Sequence, residues 1–197
     1  KLAIEHYVTD SLNVYASYGH SFNPPPLSQV YRYSDIVKAN PNLDPERSDS
    51  FEIGLKKEWN TKTTLNVSGF YVKTKDKVKY LTYYDNSGNV DYKMYNNVDE
   101  ESRRGVELEL RHQLSSKWSI FGNYTWQTGR IKHKELLNTN ASEYAEVNYD
   151  IPKHTFHAGV EYTSGKWNAL WDAQYVSRRQ SVDDVTGQYG SEDSYFI

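Results

Sequence analysis

Arg104-Gly105-Val106-Glu107-Leu108-Glu109-Leu110-Arg111-His112-Gln113-Leu114-Ser115-Ser116-Lys117-Trp118 carries the pattern on which the whole chain is built. Successive side chains of a strand point to opposite faces of a sheet. Val106, Leu108 and Leu110 therefore fall on one side, and Glu107, Glu109 and Arg111 on the other. The alternation runs into a short polar turn, Ser115-Ser116-Lys117, and Trp118 opens the next segment.

The same unit recurs on either side. Thr9-Asp10-Ser11, Asn60-Thr61-Lys62 and Ser164-Gly165-Lys166 repeat the turn at intervals of about fifty residues, each interval holding two extended segments and a longer loop. Parity sets Leu12, Val14, Ala16 and Tyr18 against Asn13, Tyr15, Ser17 and Gly19. It sets Phe51, Ile53, Leu55 and Trp59 against Glu52, Gly54, Lys56 and Glu58, and Phe156, Ala158, Val160 and Tyr162 against His157, Gly159 and Glu161. One face is apolar throughout and the other carries charge. Strands are expected at about 1–8, 12–21, 48–59, 63–84, 90–113, 118–129, 152–163 and 167–179, with a ninth beginning near Asp193. Long loops are expected at about 22–47, 130–151 and 180–192, and a hairpin tip at 85–89. Pro24-Pro25-Pro26 cannot donate to a ladder and so starts the first loop. Tight turns on one rim and long loops on the other give an all-β fold, an antiparallel transmembrane β-barrel segment. A propeller also repeats at this period, but it needs four short strands per repeat where this chain offers two long ones.

Aromatic spacing agrees with a barrel wall. Trp59, Trp118 and Trp167 stand beside short turns on the apolar face, and Trp126 and Tyr175 follow eight residues after Trp118 and Trp167 at the same parity. Eight residues of a tilted strand rise about 20 Å, close to the roughly 25 Å apolar band with aromatic girdles at both edges. Composition permits this. The 197 residues are 37% hydrophobic with 18 Tyr and 5 Trp against 1 Met, and mean hydropathy is -0.85. No apolar run is long enough for a spanning helix, whereas a barrel strand needs only about ten alternating residues. A net charge of -3 gives no basic footprint for nucleic acid, and without cysteine there is neither a disulfide nor a thiolate metal site. Lys1-Leu2-Ala3-Ile4-Glu5 is already strand-like and Tyr195-Phe196-Ile197 begins an alternation, as expected of an interior piece truncated at both ends.

Enzymatic chemistry has no constellation here. His154 and His157 lie three apart on a strand, hence on opposite faces, and cannot hold one ion together. Asp85, Ser87 and Asn89 match the opening of a calcium loop, but Val90 stands where glycine is required and Asn96 where the bidentate Glu belongs. No serine sits in a nucleophile elbow. Asp183-Asp184 and Glu192-Asp193 are candidates for a cation on the long-loop rim, against plain solvated loop charge.

Three blocks carry a family resemblance. The first is Tyr15-Ala16-Ser17-Tyr18-Gly19-His20-Ser21-Phe22 with Pro24-Pro25, then Asn40-Pro41-Asn42-Leu43-Asp44-Pro45-Glu46, then Ser48 and Phe51-Glu52-Ile53-Gly54-Leu55. The second runs from Tyr95-Asn96-Asn97-Val98 through Arg104-Gly105-Val106-Glu107-Leu108-Glu109, and the third is Ile151-Pro152-Lys153-His154. In order and spacing the chain resembles the barrel of TonB-dependent outer-membrane receptors. That resemblance implies a full barrel of roughly twenty-two strands, located in the outer membrane of a Gram-negative bacterium. It implies outer-membrane lipid and the TonB complex as partners, a plug N-terminal to the barrel, and a scarce nutrient as cargo. It implies no enzyme activity and no resident cofactor.

Among the cargoes of this family a ferric siderophore is the leading expectation, with cobalamin, haem or another organic nutrient as the alternative. A soluble or surface-displayed structural or adhesive β-protein is the alternative of another class. The segments 22–25 and 40–43 resemble boxes that flank a ligand-binding His in haem receptors, yet no His lies between them here and His20 precedes the first. Tyr31, Arg32 and Tyr33 in the first loop, with Tyr83 and Tyr84 near the tall hairpin tip, are candidates to stack on and pair with an anionic ferric chelate. Glu52, Lys56, Glu107, Glu109, Arg111, Glu161 and Asp172 are expected to face the lumen, toward a plug or its waters.

Overall fold

The computed structural model describes residues 1–133, 151–182 and 189–197. The alternating segments form strands β1 Leu2–Thr9, β2 Leu12–Asn23, β3 Glu46–Trp59, β4 Thr63–Tyr84, β5 Val90–Gln113, β6 Trp118–His133, β7 His154–Ser164 and β8 Trp167–Val176. Each pairs antiparallel with the next, and β11 Tyr195–Phe196 closes the order of a nine-stranded sheet against β8. The first long loop, 24–45, contains one helical turn, α1 Leu27–Val30, opening directly after Pro26.

The sheet reaches further than polarity alone predicts. Phe22 pairs with Arg47 and Asn23 with Glu46, so β2 and β3 continue until Pro24 removes a donor. The expected strand 167–179 stops at Val176, and the expected loop 180–192 holds a separate hairpin of β9 Arg179–Val182 and β10 Tyr189–Glu192. The extension of β2 and β3 and the added hairpin have one cause: backbone ladders pair polar residues as well as apolar ones, and a sheet beyond its apolar band carries no alternation.

Register sorts the faces. One continuous row joins His6, Val14, Leu55, Val67, Leu108, Tyr124, Phe156, Tyr175 and Phe196 across nine strands. The neighbouring row on the other face runs Tyr7, Asn13, Lys56, Asn66, Glu109, Asn123, His157 and Gln174. Nothing among the described residues covers the apolar face as a second layer. Ile53 and Trp171 are each 68% exposed, and the buried large hydrophobics are Val37 and Val176. A single layer has no core of its own, so its apolar face requires a nonaqueous surround. That face is not wholly apolar. Lys57 pairs with Leu12 and Leu65 beside the short-turn rim, where its Nζ donates to Ser11 Oγ at 2.7 Å. Its stem stays on apolar surface while its charge reaches the rim.

The polar face has its own packing device. Tyr15 lies opposite Gly54, Phe70 opposite Gly105 and Phe121 opposite Gly159. A Cβ on Gly54 would stand 2.5 Å from the Tyr15 ring, and one on Gly159 2.5 Å from the Phe121 ring. Each glycine thus leaves a slot that a neighbouring ring fills. Gly54→Ala is expected to destabilise the complete receptor by about 1–3 kcal/mol through overpacking. Tyr15→Ala in the same chain should remove most of that added cost, whereas strictly additive losses in a denaturant titration of the double variant would refute the slot.

Candidate functional site

β4 and β5 outgrow their neighbours, and the loop joining β2 to β3 leans on the free edge of that tall hairpin. Lys93 N–H donates to Ile36 O at 2.7 Å and Lys93 O accepts Lys38 N–H at 2.9 Å, so 36–38 add a short rung beside β5 and bury Val37. Two asparagines of β5 and one of the loop complete the clip. Asn40 Nδ2 donates to Tyr95 O at 2.8 Å and Asn96 Oδ1 at 2.7 Å. Asn97 Nδ2 donates to Asp44 O at 2.9 Å and Asp76 O at 2.6 Å, while its Oδ1 accepts Asp44 N–H at 2.8 Å. Asp76 has a positive φ of 58° at the irregularity where the β4–β5 register shifts.

Cations and rings meet where the loop crosses the hairpin. Tyr80 and Tyr95 form a cross-strand pair with centroids 4.6 Å apart, and Tyr83 stacks on Tyr92 at 4.6 Å. The Arg32 guanidinium lies 5.9 Å from the Tyr80 centroid, Lys93 Nζ 6.0 Å from the same ring, and Lys38 Nζ 3.4 Å from the Tyr92 ring. Three cations held over tyrosine faces favour an anionic, aromatic-rich ligand, which can pair with charge and stack on ring at once. The tip above is fixed by Asp85, whose Oδ1 accepts the N–H groups of Ser87 at 2.9 Å and Asn89 at 2.8 Å. Those bonds, the one from Asn89 foremost, hold the Asp85 carboxyl below the usual aspartate range.

The structure divides the sequence candidates. Arg32 reaches the hairpin, while Tyr31 and Tyr33 stand out into solvent at 65% and 80% exposure. Tyr83 is occupied internally, stacked on Tyr92 and accepting a hydrogen bond from Asn96 Nδ2 at 2.6 Å. Tyr84 is exposed opposite Val90 at the tip. Sequence alone does not propose Lys38, Tyr80, Tyr92 or Lys93 for the site, and Tyr95 enters it only within the block Tyr95-Asn96-Asn97-Val98. The tip alone gives no signal for the tyrosines, since closing the hairpin at 85–89 with Tyr84 against Val90 would set Tyr83 against Asp91, and a register shift between Tyr83 and Tyr84 is what brings Tyr83 to Tyr92 and Tyr80 to Tyr95. Lys38 had none either, because its position depends on the loop's crossing. His20 hydrogen-bonds Asp49 at 2.8 Å and takes no part in this cluster. Of the candidate cation carboxylates, Glu192 pairs with Arg179 and Asp193 with Arg178, and Asp183 and Asp184 lie outside the described residues.

The seven expected lumen residues share the polar face by register. Glu52, Lys56, Glu107 and Glu109 line one hollow with Glu5, Asn13 and Asn66. Tyr15 donates to Glu52 at 2.7 Å and Asn66 Nδ2 to Glu109 at 2.9 Å. Arg111 pairs with Glu161 at 3.1 Å and Asp172 with His157 at 2.8 Å. The side-chain carbonyl oxygens of Asn13 and Asn66 are buried without a protein partner. Trp59, Trp118, Trp126, Trp167 and Tyr175 lie on the opposite face, Trp118 against Tyr162 at 4.6 Å and Tyr175 against Phe196 at 4.9 Å.

Comparison with known proteins gives this geometry a context. The family model described as TonB dependent receptor-like, beta-barrel matches residues 1–197. The chain is 29% identical over 194 residues to the probable TonB-dependent siderophore receptor PiuA of Acinetobacter baumannii, covering 85% of this chain and 25% of that protein. It is 25% identical over 153 residues to the ferric-pyoverdine BN7/BN8 receptor of Pseudomonas putida, covering 78% of this chain and 16% of that one. Among solved structures, the ferric-catecholate import receptor Fiu of E. coli K12 superimposes with a TM-score of 0.69 at 19% identity, over 98% of this chain and 26% of that one. The copper transporter OprC does so with a TM-score of 0.70 at 17% identity, over 99% of this chain and 29% of that one. The chain thus spans a quarter or less of the length of the two curated relatives described here.

Proposed function

The chain belongs to the TonB-dependent receptor β-barrel family, and from that premise we propose that it forms part of the wall of a receptor for an anionic ferric siderophore. Members of the family are outer-membrane receptors and transporters rather than enzymes. On this reading Leu108 and its row face outer-membrane lipid of a Gram-negative bacterium, between aromatic girdles that include Trp59, Trp118, Trp126, Trp167 and Tyr175. The polar face lines the lumen. Its acidic hollow and the unpartnered Asn13 and Asn66 oxygens suit a plug that brings cations and donors, since buried acceptors left unpaired are costly. Import is driven through TonB, which engages the plug side of such receptors.

The observation that carries the cargo assignment is the placement of Arg32, Lys38 and Lys93 around Tyr80 and Tyr92. Catecholate and hydroxamate chelates present negative oxygens and flat conjugated groups, which this set of cations and rings complements. Two relatives named for siderophores support the reading. Arg32→Ala is expected to weaken siderophore binding by about 1.5–3 kcal/mol, the value of a hydrogen bond to a charged group. The test is equilibrium binding of a siderophore panel, haem and cobalamin to the intact receptor and to the variant. Tight haem or cobalamin binding with no siderophore response would overturn the cargo. An unchanged siderophore affinity in the variant would remove Arg32 from the site.

A further inference from the structure

The cations gathered where the first long loop meets the tall hairpin belong to two different faces. From Tyr80 to Tyr83 the pairing of β4 with β5 runs without a shift, Tyr80 opposite Tyr95, Leu81 opposite Met94, Thr82 opposite Lys93 and Tyr83 opposite Tyr92. Successive residues of a strand alternate, so Lys93 shares one face with Tyr80 and Tyr95, and Tyr92 shares the other with Tyr83. The rung that the loop adds follows the same rule. Val37 pairs parallel with Lys93 and stands on its side of the ladder, which leaves Lys38 on the side of Tyr92. Ring contacts agree: Lys38 Nζ lies 3.4 Å from the Tyr92 centroid and Lys93 Nζ 6.0 Å from that of Tyr80.

The two faces are built differently. On the first, the Arg32 guanidinium joins Lys93 at the Tyr80 ring, 5.9 Å from its centroid, and neither cation has an ion pair among the described residues. Two like charges beside one ring repel each other until a counter-charge arrives. On the second, a chain of hydrogen bonds ties strand to loop. Asn96 Nδ2 donates to the Tyr83 hydroxyl at 2.6 Å, and Asn40 Nδ2 donates to Asn96 Oδ1 at 2.7 Å. Asn40 N–H donates to Val30 O at 3.0 Å, and Asn40 Oδ1 accepts Asn42 N–H at 3.1 Å. Lys38 closes that chain over Tyr92, whose ring stacks on Tyr83 at an interplanar angle of 14°. An ammonium pressed on a ring face is attracted by the ring itself and needs no anion.

We infer that Lys93, beside Arg32, determines specificity for the charge of the chelate, and that Lys38 is a positioning residue, a latch that fastens the loop to β5 and so places Arg32. The assignment rests on the siderophore cargo proposed above and divides its cations by role. Lys93 meets the anion directly. Lys38 acts through the loop, by holding in advance a segment that would otherwise be ordered at binding.

The experiment measures binding of two probes to the complete receptor at low and at physiological salt: a ferric tris-catecholate, which is strongly anionic, and a ferric tris-hydroxamate, which carries little net charge. Hydrogen exchange of the loop amides is read on the same samples. Lys93→Gln should weaken tris-catecholate binding about tenfold at low salt and flatten its salt dependence, while exchange at Lys38 and Asn40 stays as in the parent. Lys93→Arg should keep the affinity. Lys38→Gln should speed exchange at Lys38 and Asn40 by about tenfold and weaken every chelate the parent binds by one common factor, with the salt dependence retained. Lys38→Arg returns a cation to the ring and should restore both. Equal weakening of the two chelates by Lys93→Gln would overturn its role in reading charge. Unchanged exchange in Lys38→Gln would overturn the latch, and a loss confined to the tris-catecholate would make Lys38 a cargo contact instead. A parent that binds neither chelate, or the tris-hydroxamate alone, would overturn the anionic cargo and the role of Lys93 with it, whereas the exchange response of Lys38→Gln decides the latch whatever the cargo is.

Discussion

Leu108→Arg, introduced in the complete receptor folded into lipid vesicles, is expected to lower its folding stability by about 2–4 kcal/mol, and Glu107→Gln on the adjacent residue by far less. The two positions differ by one residue and by one face. Leu108 sits in the apolar row between Val67 and Tyr124, four residues along β5 from Arg104 on one side and four from His112, in the row of Trp59, on the other. An arginine there must strip its guanidinium of water or drag headgroups inward, and either is costly in hydrocarbon. Glu107 lies between Ser68 and Thr125 in the polar hollow, where an amide of the same shape still finds water and hydroxyls. Denaturant titration of both variants in vesicles measures the contrast. Equal costs would mean that the two faces meet the same solvent, and the membrane orientation of the sheet would fall with that result.

Why the faces were legible and the site was not follows from what each depends on. Alternation at 104–111 reports a solvent difference across the sheet, and a one-residue error would exchange every side chain between faces. The tip of the tall hairpin is equally legible, because Asp85, Ser87, Gly88 and Asn89 carry the turn chemistry themselves, whereas the register shifts at Tyr83/Tyr84 and between Thr74 and Val78 have no such signal. Beyond the apolar band the same ladder passes through Asn23, Glu46 and Arg47 with no polarity signal, so β2 and β3 run past the ends that alternation marks, whereas β8 stops at Val176, short of the expected 179. The hairpin of Arg179–Val182 with Tyr189–Glu192 was missed for want of that polarity signal. Arg32 stood out beside two tyrosines, but which rings it meets depends on where loop 24–45 crosses β4 and β5. That crossing is a tertiary event held by Asn40, Asn96 and Asn97, which stand in blocks of the family resemblance but whose partners only the folded chain shows. Tyr83 reads from sequence as an aromatic near a tip, and in the structure its ring stacks on Tyr92 and its hydroxyl accepts from Asn96 within the hairpin.

Asn97→Ala should release the far end of that loop. The side chain makes two donated bonds, to Asp44 O and Asp76 O, and accepts one from Asp44 N–H. At about 0.5–1.5 kcal/mol each, loss of the two bonds to Asp44 removes about 1–3 kcal/mol of the energy that docks the loop on β5, the bond to Asp76 O lying within β4. Asn97→Asp should be no rescue, because a carboxylate would set oxygen against the two carbonyls that now accept from Nδ2. The bonds between Lys93 and 36–38 remain, so the loop should loosen from its 40–45 end and leave the rung beside β5 as the last contact. Hydrogen exchange reads this directly. The Asp44 amide should lose its protection, Asn40 should follow, and Lys38 should change least, while amides of β7 and β8 should not respond. Siderophore affinity should fall in parallel, since a loop that must be ordered at binding no longer presents Arg32 and Lys38 over their rings in advance. Unaltered exchange at Asp44 and Asn40 would show that the asparagine clip does not hold the loop. Faster exchange with full affinity would instead locate cargo recognition away from it.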